Sequence, residues 1–342
     1  MPNDNTALNS QDAPSLNGIA EAWRLIENAI IVTPVLPLVS ERIVQFLPEG
    51  SACHLKLEVF QHTGSFKARG ALLNVRQLSS ANRARGVTAV SAGNHAIAVA
   101  WAAQQENIPA KVVMMASADP VRVAAARALG AEVVQMPDVH AAFAEVDRIV
   151  AQEGRTFVHP FEGQTTCTGT ATLGVEFMRQ VPELDAVVVP IGGGGLIAGM
   201  SRAIKLINPE CKVYGVEPEG ADSISRSLAA GSPQRLEKVN TIADSLGAPM
   251  ALPYSFDLAR RHVDRVLLLP DAELLKTMAL LFDATKLALE PAGCASTAAA
   301  IGPLRGELAG MRVGLIACGS NIGEAKFAGF VTQGRELLAK IS

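Results

Sequence analysis

Residues 87–116, VTAVSAGNHAIAVAWAAQQENIPAKVVMMA, decide the fold. A β-branched apolar run at 87–90 gives way at Gly93 to an alanine-rich helical stretch over 93–105, and Ile108-Pro109 returns the chain to a second apolar run at 111–116. Strand, helix and strand in that order form the parallel crossover unit. The alternation continues with a helix at 120–129 stopped by Gly130, a strand at 131–136, a helix at 139–152 closed by Gly154, and a strand at 156–158. This block is a parallel sheet with helices between its strands.

A second series follows, with a helix at 170–180, a strand at 186–191, a run of glycines, a helix at 196–207 and a strand at 212–217. Gly231, Pro233, Gly247 and Pro249 break residues 223–250 into short pieces. Regularity returns with a strand at 265–269, helices at 271–287 and 292–301, and a strand at 313–317. Upstream of residue 87, an amphipathic helix at 19–29 leads through the Thr33-Pro34 and Leu36-Pro37 steps to a strand at 54–59. No repeat or flexible linker separates the two series. The chain is therefore of the α/β class, and its halves are expected to share a cleft.

Composition narrows the function. The 342 residues are 49% hydrophobic, 18% charged and only 4% aromatic, which describes a globular protein with an aliphatic core. A net charge of -3 and a pI near 6.1 offer no basic surface for nucleic acid. Five cysteines lie far apart without a C-x-x-C pair, so neither a disulfide framework nor a zinc site is expected. Residues 1–18 are polar and lack the pattern of a signal peptide, and read as a disordered tail on a cytoplasmic protein. No apolar run reaches the length of a membrane span.

Chemistry concentrates first in His62-Thr63-Gly64-Ser65-Phe66-Lys67-Ala68-Arg69-Gly70. Ser65 is a good N-cap and residues 68–78 are helix formers, so Lys67 faces the positive end of a helix dipole. Its ammonium is disfavoured there, and the neutral amine suits Schiff-base chemistry with a carbonyl. The plain alternative is one more solvated lysine.

Ligands of open parallel sheets bind at the carboxyl ends of the strands, so the loops after strands come next. Ser91-Ala92-Gly93-Asn94-His95 offers a turn whose amides and hydroxyl suit a carboxylate, although Asn and Gly also cap helices for purely structural reasons. Gly192-Gly193-Gly194-Gly195 leaves amides uncovered at a helix N-terminus and suits a phosphate. A rival reading is the dinucleotide fingerprint of an NAD(P)-dependent oxidoreductase, with Gly193, Gly195 and Ala198 in register and Glu217 as the ribose-binding acid. The segment alone leaves both open. Cys318, before Gly319-Ser320-Asn321, is either packing or a small polar group against a heteroaromatic nitrogen.

In chain order, TGSFKARGA around Lys67, SAGNHA, GGGGL, TIAD at 241–244, Glu290-Pro291-Ala292-Gly293 and CGSN make the chain resemble the serine/threonine dehydratase family. These are fold type II pyridoxal-phosphate enzymes, similar to the β subunit of tryptophan synthase, and the resemblance runs from about residue 19 to 331. It implies two open, twisted, mostly parallel sheets flanked by helices. The active site would lie between a large domain, 19–82 with 160–342, and a small domain, 83–159.

Pyridoxal 5'-phosphate is the implied cofactor. Lys67 resembles the lysine that carries it and moves the α-proton, Gly192 to Gly195 the phosphate loop, and Asn94 the partner of the phenolic oxygen. Cys318 stands where the family places a small polar group against the pyridine nitrogen, and Ser91, Ala92, Gly93, Asn94 and His95 resemble the substrate-carboxylate loop. The implied reaction converts a β-hydroxy amino acid, L-threonine or L-serine first, to a 2-oxo acid and ammonia. A racemase of the same family, or a dehydratase for a bulkier or acidic substrate, is the alternative. The family also implies a homodimer.

Departures from the family pattern matter too. Serine racemases carry a second serine, a base on the opposite face of the cofactor, where this chain has Ala92. Glu217 and Ala221 match the family's cation ligands, but Ser223 stands at the aspartate position, so no metal is expected. Ser245 and residues 168–172 also depart from the usual sequence near the substrate.

Overall fold

The structure, a computed structural model, describes residues 13–340. Its elements in order are α1 (Leu16–Ile26), β1 (Val35–Pro37), α2 (Glu41–Val44), β2 (Ala52–Leu57), α3 (Lys67–Arg76), α4 (Ser80–Arg85), β3 (Val87–Val90), α5 (Asn94–Gln105), β4 (Ala110–Met115), α6 (Pro120–Ala128), β5 (Glu132–Met136), α7 (Val139–Glu153) and β6 (Thr156–Phe157). The second half comprises α8 (Gln164–Gln180), β7 (Ala186–Pro190), α9 (Gly195–Ile207), β8 (Lys212–Pro218), α10 (Ser223–Ala230), α11 (Pro253–His262), β9 (Arg265–Leu269), α12 (Asp271–Thr285), α13 (Pro291–Ile301), β10 (Arg312–Ala317) and α14 (Glu324–Ala339).

Two sheets result. One has the strand order β1-β2-β10-β7-β8-β9, the other β5-β4-β3-β6. Every pairing is parallel except β1 with β2 at one edge. The central strands are buried on both faces, as parallel strands with helical crossovers must be: all of Ala186–Pro190 and Val87–Val90 is buried. That is the two-sheet α/β architecture expected from the sequence.

Several local expectations are corrected. Ser65 does not cap α3; it is extended and pairs with Gly319, its hydroxyl is buried without a partner, and Phe66 takes the cap position. The cross-chain bridge holds Ser65 in the strand-like region and delays the helix. Of the expected tail, residues 1–12 lie outside the described residues, and α1 already begins at Leu16 with Ser15 as its N-cap. Helix α8 begins before residue 170, at Gln164, because its small residues serve a close crossing rather than a loop. A Cβ on Gly169 would lie 2.6 Å from the Gly70 Cα. Elements β1, α2, α4, α11 and α14 are additions to the sequence reading, and α10 is a short helix within the broken stretch 223–250.

Candidate active site

Lys67 opens α3 at the end of a turn held in an unusual conformation. Thr63 and Gly64 both have positive φ, +66° and +69°, a region a β-branched residue occupies only under constraint. The constraint comes from the loop after β10. Ser320 N donates to Gly64 O at 3.0 Å, Phe66 N to Cys318 O at 3.2 Å, and Asn321 Nδ2 to Thr63 O at 2.7 Å. Behind the lysine, Arg69 is fully buried and binds both oxygens of Glu58 at 2.8 Å and Glu176 at 2.9 Å. Lys56 completes this enclosed charge cluster through Glu176. Helix α3 is thereby fixed to β2 and α8.

The Lys67 ammonium donates to Pro160 O at 2.5 Å. Burial lowers its pKa to about 8, against the weaker pull of Cys318, Cys167 and Glu290. Burial is therefore the largest cause, and a place in the first helical turn acts in the same direction. Neighbouring histidines stay neutral for the same reason. Burial, then the Lys67 charge, lowers His95 and His159 to about 3.

Gly192 to Gly195 join β7 to α9. A Cβ on Gly193 would lie 2.2 Å from the Phe161 ring and one on Gly195 2.6 Å from Phe161 O, while Gly194 has φ +92°. The outward carbonyls are engaged, Gly193 O by Ser255 Oγ at 3.2 Å and Gly195 O by Thr170 Oγ1 at 2.7 Å. Among the described residues, nothing accepts a hydrogen bond from the amides of Gly192, Gly193 or Gly194. Uncommitted amides at a helix N-terminus form an anion cradle.

The loop after β3 supplies the opposite wall. Ser91 Oγ accepts from Gly93 N at 3.0 Å, and His95 Nε2 donates to Val158 O at 2.8 Å, so that ring is committed to the protein interior. Asn94 Nδ2 donates to Glu290 Oε1 at 2.7 Å and to Ser245 Oγ at 3.3 Å, and Asn94 Oδ1 accepts from Asn321 Nδ2 at 2.7 Å. Burial holds the Cys318 thiol well above its ordinary pKa, so it is a neutral group.

Lys67, the 91–95 loop, Gly192 to Gly195 and Cys318 line one cleft. Sequence reasoning assigned no part to Arg122, and gave no individual role to Asp244 or Glu290 within their motifs; all three line it too. The available signal was the Asp119-Pro120 helix start, which puts Arg122 in the first turn of a helix at the carboxyl edge of β4. Glu217 is absent from the cleft. Its carboxylate instead accepts from Ile224 N and Ser225 N, both at 2.8 Å, and from Ser225 Oγ at 2.7 Å, which makes it the cap of α10. Among the described residues no group of three or more His, Cys, Asp or Glu gathers to hold a metal ion, and no helix is long and apolar enough to cross a membrane.

A buried amine of lowered pKa, an open amide cradle and a neutral thiol in one cleft fit pyridoxal phosphate. Comparison with known proteins agrees. Residues 26–319 match the family described as pyridoxal-phosphate dependent enzyme. The chain is 50% identical over 323 residues to a phenylserine dehydratase from Ralstonia pickettii, covering 94% of this chain and 98% of that one. With an L-threonine ammonia-lyase from Thermotoga maritima it shares 37% identity over 311 residues, 90% of this chain and 76% of the other. Maize serine racemase superposes with a TM-score of 0.87 at 31% identity, covering 96% of this chain and 100% of that one. The chain belongs to the pyridoxal-phosphate-dependent enzyme family, as a fold type II lyase with pyridoxal phosphate as its cofactor.

Proposed function

We propose that the substrate is a β-hydroxy amino acid with a bulky apolar β-substituent, an aryl group above all, converted to the 2-oxo acid and ammonium. One observation carries this reading: besides Lys67 and the 91–95 loop the cleft is lined by Met115, Val139, Phe143, Leu246 and Pro249, and its charged lining residues Arg122, Asp244 and Glu290 already pair with one another. These apolar side chains stabilise a buried phenyl ring, whereas a carboxylate side chain would have to compete with Asp244 and Glu290 for Arg122. The phenylserine dehydratase relative supports the same reading. L-Threonine and L-serine then remain as smaller, less favoured substrates.

Bound in this cleft, pyridoxal phosphate supplies an electrophilic carbon for the substrate amine and a conjugated ring that stabilises negative charge at the α-carbon. In the proposed assignment, Lys67 would hold it through Nζ, and the same amine, of pKa about 8, would be well matched to move the substrate's α-proton. The glycine turn from Gly192 to Gly195 would hold the phosphate on its amides, and the Asn94 amide would serve the phenolic oxygen. The neutral Cys318 thiol would serve the ring nitrogen without forcing its protonation. The turn from Ser91 to His95 binds the substrate carboxylate. The β-hydroxyl leaves as water, and one water returns as the product becomes 2-oxo acid and ammonium. The family resemblance also supports a homodimer and a cytoplasmic location.

The test is 2-oxo acid release from L-serine, L-threonine, β-phenylserine and β-hydroxyaspartate. Burying a phenyl in place of a methyl contributes about 2 kcal/mol, so kcat/KM for phenylserine should exceed that for threonine by roughly thirtyfold. Phe143→Ala should reduce that preference. A preference for threonine or hydroxyaspartate overturns the proposal.

A further inference from the structure

We propose that Arg122 is a positioning residue for the reaction, closing a hydrogen-bonded ring with Glu290, Asn94 and Asn321 that fixes the Asn94 amide. The side chain leaves α6, among the strands of the four-stranded sheet, and ends among residues that follow strands of the other. Its Nε donates to Asn321 O at 2.7 Å, Nη1 to Asp244 Oδ2 at 3.0 Å, and Nη2 to Asp244 Oδ1 at 3.3 Å and Glu290 Oε2 at 3.2 Å. The guanidinium is 4% exposed and Glu290 1%.

Each end of the Asn94 amide is held by a residue that Arg122 holds in turn. Glu290 accepts from Nδ2 and Asn321 donates to Oδ1. An Asn side chain whose oxygen and one Nδ2 hydrogen are engaged cannot flip without breaking both bonds, and the other Nδ2 hydrogen, in a long contact with Ser245 Oγ at 3.3 Å, is the one left for the phenolic oxygen. Arg122 also explains a glycine: a Cβ on Gly93 would lie 2.8 Å from its Nη1. The guanidinium fills the space a side chain would take there. A lysine cannot do the same work, because only the planar fork reaches Asn321, Asp244 and Glu290 together.

The charges fit this role. Burial opposes the Arg122 charge, but Glu290 and Asp244 outweigh it and keep its pKa above the ordinary value. Burial drives Glu290 upward despite Arg122, and the nearby Asp244 charge, which shares the same cation, adds to the rise. Removing Arg122 would leave Glu290 buried without a countercharge. That would shift its carboxyl further toward the neutral form, in which one oxygen carries a proton and no longer only accepts.

The part of this inference that concerns the cofactor rests on the role proposed for Asn94. Its geometric part does not, so the first readout is amide hydrogen exchange of cofactor-free protein. Arg122→Gln should raise exchange at least about tenfold at residues 91–95 and 318–322, with β4 and β7 unchanged. Arg122→Gln with Glu290→Gln, which restores a neutral pair, should recover much of the protection. In loaded enzyme Arg122→Gln should lower kcat about tenfold or more with KM within about threefold. Should Arg122→Gln not fold, Arg122→Lys tests the fork with the charge kept and should show the same local loss. Unchanged exchange at both loops, a uniform rise across both sheets, or no recovery in the double variant overturns the inference. Failure of the substrate panel alone leaves the exchange result untouched.

Discussion

At the scale of single residues, Lys67 departs furthest from its ordinary state. An exposed lysine is almost wholly charged at neutral pH, whereas a pKa of about 8 leaves close to a tenth of Lys67 as free amine at pH 7 and most of it by pH 9. Capture of pyridoxal phosphate by cofactor-free protein should therefore rise about tenfold from pH 7 to pH 9 and level off above that. An ordinary lysine would give a rise nearer a hundredfold with no plateau in that range, and stopped-flow absorbance distinguishes the two. Borohydride should fix the adduct on Lys67. A lysine before a small-residue helix start is a local signal, and sequence carries it well. Arg122 is the contrary case: its meaning lies in Asp244, Glu290 and Asn321, partners more than a hundred residues away along the chain that only the fold brings near.

Among the elements, the short helix α10 tests whether burial or hydrogen bonding governs its cap. Burial raises the Glu217 carboxyl to about 7, outweighing Ser225 and Ile224. An acid whose folded pKa exceeds its unfolded value contributes most below the unfolded pKa and loses that contribution as pH climbs through the folded one. The window runs from about 4.5 to about 7. Glu217→Gln should match the wild type near pH 4 and gain relative stability up to about 3 kcal/mol by pH 8, measured by denaturant unfolding of cofactor-free protein. A wild type that instead gains on the variant as pH rises shows that the three donors win. Elements with strong local signals were legible at their bounds: the apolar runs at 87–90 and 265–269 coincide with β3 and β9. Elements defined by distant partners were not. The first turns of α8 are rich in Thr and Gly because α3 crosses at Gly169, and α10 lies in a stretch whose glycines and prolines dominate a local reading. Ser65 followed the same rule, since pairing with Gly319 decided its conformation over its capping propensity.

On the scale of the whole molecule, the loops after β3, β7 and β10, each at the carboxyl end of a parallel strand, all open into one cleft between elements of two sheets. One sheet contributes the glycine cradle and Cys318, and the other contributes the loop that carries Ala92. This division decides which reaction the cleft can complete. Racemisation needs a proton to leave one face of the α-carbon and another to arrive on the opposite face, hence two groups able to exchange protons. Lys67 is one of them. The resemblance to serine racemases puts the second at position 92, where this chain has a methyl group lining the cleft. Ser91 is the nearest hydroxyl in sequence, and its oxygen already accepts from the Gly93 amide at 3.0 Å, which ties it into its own turn. Loss of one acid–base partner costs roughly a hundredfold or more, so elimination should exceed racemisation by at least that factor for a substrate with a β-hydroxyl. The check is to follow D-isomer formation and 2-oxo acid release together in wild type and Ala92→Ser. The serine variant should raise D-isomer formation about tenfold or more while 2-oxo acid release continues. If the wild type already interconverts enantiomers as fast as it releases ammonium, a group on the opposite face other than residue 92 is moving the proton, and the one-base reading of this cleft fails.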